Sequence, residues 1–223
     1  MTSTGPSPSS APTPHPCRII ATADDVAEGA AWLAAADVRM AAALDLTGPP
    51  PLRRRDDGFR ALLGAIVSQQ VSVASASAIL GRVEAAGLHD PHAIAAADDD
   101  TMRACGLSRQ KIRYARALAE AGIDFDALRH APTDEVVATL TQVPGIGRWT
   151  AEIYAMFSLG HADVFAPNDL ALQEAARLLL DLPDRPKERD MRTIAERWSP
   201  WRAVAARLLW AYYAHAKSRE GIR

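Results

Sequence analysis

Two short segments hold the residues best suited to chemistry. The first is Leu140-Thr141-Gln142-Val143-Pro144-Gly145-Ile146-Gly147-Arg148-Trp149-Thr150-Ala151. Pro144 stops a helix that runs into Leu140, because proline lacks an N–H donor and fixes φ. Gly145 and Gly147 permit tight turns and let a ligand approach the backbone with no Cβ in the way. A new helix begins near Arg148, and the exposed amides ahead of it favour an anion such as phosphate. A DNA backbone phosphate is one such anion, and contact with it would fix position without reading sequence. The same spacing also suits an ordinary helix–helix connection. The second segment is Pro167-Asn168-Asp169, which should open a helix carrying Leu170, Leu172 and Ala175, with Asn168 as its cap. A carboxylate in a first helical turn is held ionised by the helix dipole. In that form it can stabilise nearby positive charge or activate a water. By position alone, a capping role for Asp169 is the simpler reading.

Other chemistries find little support. The dinucleotide-binding pattern needs a third glycine where Thr150 stands and a strand where a helix stands, and no Gly-Lys-Ser/Thr phosphate loop is present. The two cysteines, Cys17 and Cys105, are not expected to pair, and they cannot build a four-cysteine metal or iron–sulfur site. The six histidines form no ligand-spaced set. The 25 basic and 27 acidic residues leave a net charge of −2, which argues against a non-specific nucleic-acid coat but not against a local basic face. Among the basic residues only Lys111, Lys187 and Lys217 are lysines, so arginine, with its bidentate geometry, supplies nearly all the positive charge.

The elements that must position these segments are helical. Phe59, Leu62, Leu63 and Ile66 recur on one helical face, as do Trp201, Val204, Ala205 and Leu208. Asp98–Asp100 and Thr133 read as helix starts, Gly106 and Gly122 as helix stops. Asp163-Val164-Phe165 is the clearest strand candidate and is too short to found a sheet. The expectation is an all-α fold without repeats. Residues 1–18 are rich in Pro, Ser and Thr and read as a disordered tail. A second break falls at Pro49-Pro50-Pro51 and the following Arg53-Arg54-Arg55. No apolar run is long enough for a membrane span and no secretory signal is evident, so a cytoplasmic, nucleoid-associated protein is expected.

Val143-Pro144-Gly145-Ile146-Gly147-Arg148-Trp149-Thr150-Ala151 resembles the hairpin of the helix-hairpin-helix (HhH-GPD) DNA glycosylases, in particular the bacterial 3-methyladenine DNA glycosylase II branch. Three further stretches fit: Val164-Phe165-Ala166-Pro167-Asn168-Asp169, Ser68-Gln69-Gln70-Val71-Ser72-Val73-Ala74, and Glu196-Arg197-Trp198-Ser199-Pro200-Trp201-Arg202. The resemblance spans roughly residues 55–215. It implies a two-lobed helical bundle over 19–223, with the active site in the cleft. One lobe would run from about 58 to 165 and carry the hairpin at 140–151; the other would combine 19–57 with 170–223. Longer members carry an extra mixed lobe, which this chain is too short to hold complete.

The resemblance implies excision of damaged bases from duplex DNA, with Asp169 as the catalytic carboxylate beside an oxocarbenium-like sugar. Gly145, Gly147, Arg148, Thr150 and Gln69 would contact DNA, with Gln70 as the wedge filling the gap left by the flipped base. Trp149 and Trp210 would wall the base pocket, where their ring faces attract cationic N3- or N7-methylated purines. Ile153 stands where the family has an aromatic, and Tyr154 is the candidate to compensate. Trp149 also stands where strand-cutting relatives have a lysine nucleophile, so water is expected to attack and no lyase activity is expected. A K⁺ or Na⁺ ion is implied at the backbone carbonyls of Thr141, Val143 and Gly145, with no required cofactor and no iron–sulfur cluster. A monomer acting on double-stranded DNA follows. The alternatives are a glycosylase for a neutral damaged base and a non-catalytic DNA-binding module.

Overall fold

The computed structural model describes residues 18–219. The Pro/Ser/Thr-rich tail and Cys17 lie outside the described residues, apart from the tail's last position, Arg18. Among the described residues thirteen α-helices follow one another. They are α1 (Ala23–Ala36), α2 (Val38–Thr47), α3 (Gly58–Ser68), α4 (Val73–Ala85), α5 (Pro91–Ala96), α6 (Asp99–Ala104) and α7 (Arg109–Glu120). Then come α8 (Phe125–His130), α9 (Thr133–Thr141), α10 (Arg148–Tyr154), α11 (Leu170–Leu179), α12 (Glu188–Glu196) and α13 (Arg202–Arg219). A π-helical turn at Ala155–Leu159 extends α10.

Short polar residues set the helix starts. Asp98 accepts from the amide of Thr101 at 2.7 Å, and Ser72, Asp90, Ser108 and Asp124 cap α4, α5, α7 and α8 in the same way. Thr22 and Asp25 form a reciprocal capping box on α1. Gly106 and Gly122 follow the ends of α6 and α7, as their positions in the sequence suggested.

Helix packing falls into two groups. The helices α1, α2, α11 and α13 pack on one another, with α12 against α11. The helices α3 to α7 form the second group, in which α7 packs on α3, α5 and α6, and α9 pairs with α10. The apolar faces read from the sequence are buried: Phe59, Leu62, Leu63 and Ile66 on α3, and Trp201, Val204, Ala205 and Leu208 at α13. Trp198 is fully buried, and its indole N–H donates to Asp37 at 3.4 Å, so both tryptophans beside Pro200 belong to the core. The contact of α1 with α13 depends on Gly29, where a Cβ would stand 2.6 Å from the Trp201 ring.

Residues 163–165 form no strand. Asp163 is instead gripped by Arg202, whose Nε donates to Oδ1 at 2.6 Å, and by the Ser199 hydroxyl at 2.8 Å. Among the described residues the sole β pairing is an isolated bridge between Ile19 and His161. It ties the first described residues to the loop that precedes Asp169.

Candidate active site

Asp169 sits where α11 begins, and it is itself the N-cap; Asn168 is exposed one residue earlier. Its Oδ1 accepts from the amides of Ala171 and Leu172, both at 3.0 Å. The loop ahead of it is fixed by the buried Gln173, whose Nε2 donates to the Pro167 carbonyl at 2.8 Å. Capping does not exhaust the carboxylate. The indole N–H of Trp149 donates to Oδ2 at 3.1 Å, and that of Trp210 donates to Oδ1 at 3.2 Å. One half-buried anion thus joins three elements: the start of α11, the first turn of α10 and the middle of α13.

These three side chains line a cavity of about 400 Å³. Phe157 and Ile153 supply more of its wall, and Phe157 stacks on Trp210 with ring centroids 5.7 Å apart. Trp149, Ile153 and Phe157 repeat every four residues along one helical face, so helical spacing alone could have found Phe157. Three arginines complete the rim and were not singled out from sequence: Arg53, Arg55 and Arg207. The segment after Pro51 crosses the cavity, held by the Arg55 amide on the Phe157 carbonyl at 2.9 Å. Arg207 is buried and lies over Phe157, 4.6 Å from its centroid, donating to the carbonyls of Ala203, Met156 and Leu52. Burial, with Arg54 and Arg53 adding to it, brings its pKa down to about 10, so it remains a cation at neutral pH.

Tyr154 is not at this cavity. Its buried hydroxyl accepts from the Gly58 amide at 2.8 Å, and burial above all pushes its pKa up to about 12. It lines a neighbouring cavity together with Thr150. The expectation that Tyr154 compensates for Ile153 therefore fails on geometry: Ile153 lines both cavities and Tyr154 only the neighbouring one, so Tyr154 adds no aromatic wall beside Asp169.

The hairpin is formed by α9, residues 142–147 and α10. Gly145 has φ +94, and a Cβ there would sit 2.4 Å from the Tyr114 ring. Gly147 is extended at φ −81, which any residue adopts, and it caps α10 without a side chain. Its contribution is open space, since a Cβ would meet nothing within 4 Å. Arg148 is half exposed, and its Nε donates to the buried Glu152 at 3.0 Å. Burial raises the Glu152 pKa, against the lowering effect of Arg148 and Arg192.

The two glutamines separate in role. Gln69 ends α3, and its Nε2 donates to the Gly145 carbonyl at 2.8 Å, which braces the hairpin turn. Gln70 is exposed in the left-handed region at φ 56, between α3 and α4. Among the described residues no group of three or more His, Cys, Asp or Glu could hold a metal ion. No described helix is long and apolar enough to cross a membrane.

Several known proteins resemble this chain. Residues 63–200 match the family described as HhH-GPD superfamily base excision DNA repair protein. The chain is similar to DNA-3-methyladenine glycosylase 1 of Schizosaccharomyces pombe, 33% identical over 165 residues, covering 70% of this chain and 72% of that protein. The crystal structure of a DNA-3-methyladenine glycosidase from Bacillus halodurans superposes with a TM-score of 0.78 at 33% identity, covering 86% of this chain and 91% of the other. A Schizosaccharomyces pombe 3-methyladenine DNA glycosylase bound to abasic DNA superposes at 0.70 with 31% identity, covering 82% and 95%.

Proposed function

The chain belongs to the HhH-GPD superfamily of base excision DNA repair proteins, and from that premise we propose that it is a monofunctional DNA glycosylase that releases alkylated purines from duplex DNA. The observation that carries the reading is the meeting of one carboxylate, Asp169, with two indole donors at the wall of a 400 Å³ cavity. The volume falls in the range of small-molecule sites, about 300–1,000 Å³.

The mechanism follows from charge. A cationic N3- or N7-methyl purine is already a good leaving group, so its departure needs no separate general acid. As the glycosidic bond breaks, positive charge grows on the deoxyribose. Asp169, fixed by two backbone amides and two indoles, stabilises that charge without reorganising and orients the attacking water. Trp149 and Trp210 offer ring faces to the cationic base. The flipped base leaves a gap in the duplex, which Gln70, exposed between α3 and α4, would fill. The hairpin amides around Gly147 hold a backbone phosphate, with Arg148 adding a positive charge nearby. Position 149 holds tryptophan and no lysine is among the residues lining the cavity, so the reading supplies no amine there for strand cleavage. Asp169, both indoles and the hairpin come from a single copy, so a monomer suffices.

The fold family implies a monovalent cation at the hairpin. Its donors would be the carbonyls of Thr141, Val143 and Gly145, neutral hard oxygens that suit K⁺ or Na⁺. The Val143 carbonyl accepts from Ile146 at 3.0 Å and that of Gly145 from Gln69 at 2.8 Å, and each keeps a second lone pair. The residues therefore fit, and a bound ion would add positive charge beside a DNA phosphate.

A second reading, excision of a neutral damaged base, draws on Arg53, Arg55 and Arg207 around the same cavity. Guanidinium groups repel a cationic base and donate to the carbonyl oxygens of a neutral one. Chromatography of the bases released from methylated, deaminated and oxidised duplexes separates the two. Release of 3-methyladenine and 7-methylguanine in preference to neutral bases, with no borohydride-trapped adduct, is the expected result. Preference for a neutral base, or no release at all, overturns the assignment.

A further inference from the structure

A second cavity, of about 440 Å³, lies between α3 and α10 beside the Asp169 cavity. The two share Arg55, Trp149 and Ile153 as lining residues, so Trp149 and Ile153 form the partition between them. Ile153 is the thin part of that partition, an aliphatic side chain on the face that also carries Trp149. On the far wall, Ala61, Gly64 and Ala65 of α3 are small, and Leu80 of α4 closes the end. At Gly64 an added Cβ would meet nothing within 4 Å.

Three polar side chains of this wall are engaged within the protein. The Ser68 hydroxyl donates to the Gly64 carbonyl at 2.7 Å, Gln69 to the Gly145 carbonyl, and the Tyr154 hydroxyl accepts from Gly58. What remains for an occupant is mainly apolar surface, with Arg55, Asp56, Thr150 and Ser158 also among the lining residues. A cavity of this kind gains from taking up apolar groups and would leave a polar group poorly paired.

We propose that this cavity is a subsite for the substituent of the excised base, so that the enzyme accepts purines carrying apolar alkyl or aryl groups larger than methyl. The inference rests on the glycosylase reading. The base ring stays between Trp149 and Trp210, and a substituent on the edge facing Ile153 passes into the space between α3 and α10. No new chemistry is needed, because the bond broken and the attacking water are the same.

The test compares release of benzylated and methylated purines from duplex DNA by the wild-type chain, Gly64→Ala and Gly64→Leu. Gly64 lies inside α3 without a positive φ, and a Cβ there meets nothing within 4 Å and opens onto the cavity, so both variants should fold. Wild type should release benzyl purines at a rate within about tenfold of methyl purines, and Gly64→Leu should lower benzyl release by about tenfold or more while methyl release changes less than about twofold. Gly64→Ala should fall between. Release of methyl but not benzyl purines by wild type overturns the subsite and leaves the glycosylase assignment standing. Equal loss of both substrates in Gly64→Leu, or loss of neither, also overturns it. Release of neither substrate by wild type overturns the glycosylase reading itself.

Discussion

The indole N–H of Trp149 lies 3.1 Å from Oδ2 of Asp169, although twenty residues and a change of helix separate them. With Trp210 donating to the other oxygen, the carboxylate is oriented by two rings that also wall its cavity. Orientation and base stacking are thus functions of the same two side chains.

Replacing either tryptophan by phenylalanine separates these roles. Trp149→Phe and Trp210→Phe keep a ring face and lose the N–H. A hydrogen bond to a charged group contributes about 1.5–3 kcal/mol, so each should slow base release by about tenfold to a hundredfold. Affinity for an abasic-site duplex should change little. Single-turnover rates and a binding titration check this, and an unchanged rate would show that the donors are dispensable.

The hairpin glycines should fail in different ways. Gly145→Ala must place a Cβ against Tyr114 at positive φ, which should destabilise the fold by about 1–3 kcal/mol. Gly147→Ala meets no protein atom and keeps an allowed backbone, so stability should change by less than about 0.5 kcal/mol. Its effect should appear only as weaker DNA binding. Denaturant melts paired with DNA titrations distinguish the two.

Gln70 occupies the left-handed region at φ 56. Gln70→Gly should relieve that conformation and gain about 1 kcal/mol of stability. The same variant should slow release of a paired lesion more than of a mispaired one, whose extrusion costs less. A faster or unaltered rate on the paired substrate would remove Gln70 from the flipping step.

Stability should fall on acidification because of His161. The ring is fully buried, its Nδ1 is 2.9 Å from the Thr133 hydroxyl, and burial lowers its pKa from 6.5 to about 4. Between these values the unfolded chain binds a proton that the folded chain excludes. Stability is therefore intact above pH 6.5 and is lost as pH falls toward 4, by up to about 3 kcal/mol. Glu152 works in the opposite direction, since its raised pKa favours proton uptake by the folded state. His161→Gln should flatten the slope between pH 6.5 and 4 in urea melts, and an unchanged slope would contradict the assignment.

Much of this was legible in the sequence, for local reasons. The face of α3 and the cap at Asp98 obey short-range rules of spacing and hydrogen bonding, and the HhH-GPD resemblance had already singled out Asp169, Trp149 and Trp210. What escaped depends on distant segments. Arg53 and Arg55 looked like part of a linker, because nothing in their neighbours says that the segment crosses a cleft. Asp163-Val164-Phe165 has strand-like composition, yet Arg202 claims its side chain from 39 residues away. The resemblance made Gln69 a DNA contact, and nothing local announces that its amide donates to the Gly145 carbonyl from 76 residues away. The second cavity is space left between α3 and α10, which no single segment encodes.

The central claim is that the Asp169 carboxylate does the chemistry. Asparagine caps a helix about as well as aspartate, so Asp169→Asn should keep α11 and the fold while removing the charge. The measurement is the single-turnover release of 3-methyladenine from a methylated duplex by both proteins at saturating enzyme. The variant should bind the duplex as wild type does and release base more slowly, on the order of a hundredfold or beyond. Equal release rates for the two proteins would contradict the account.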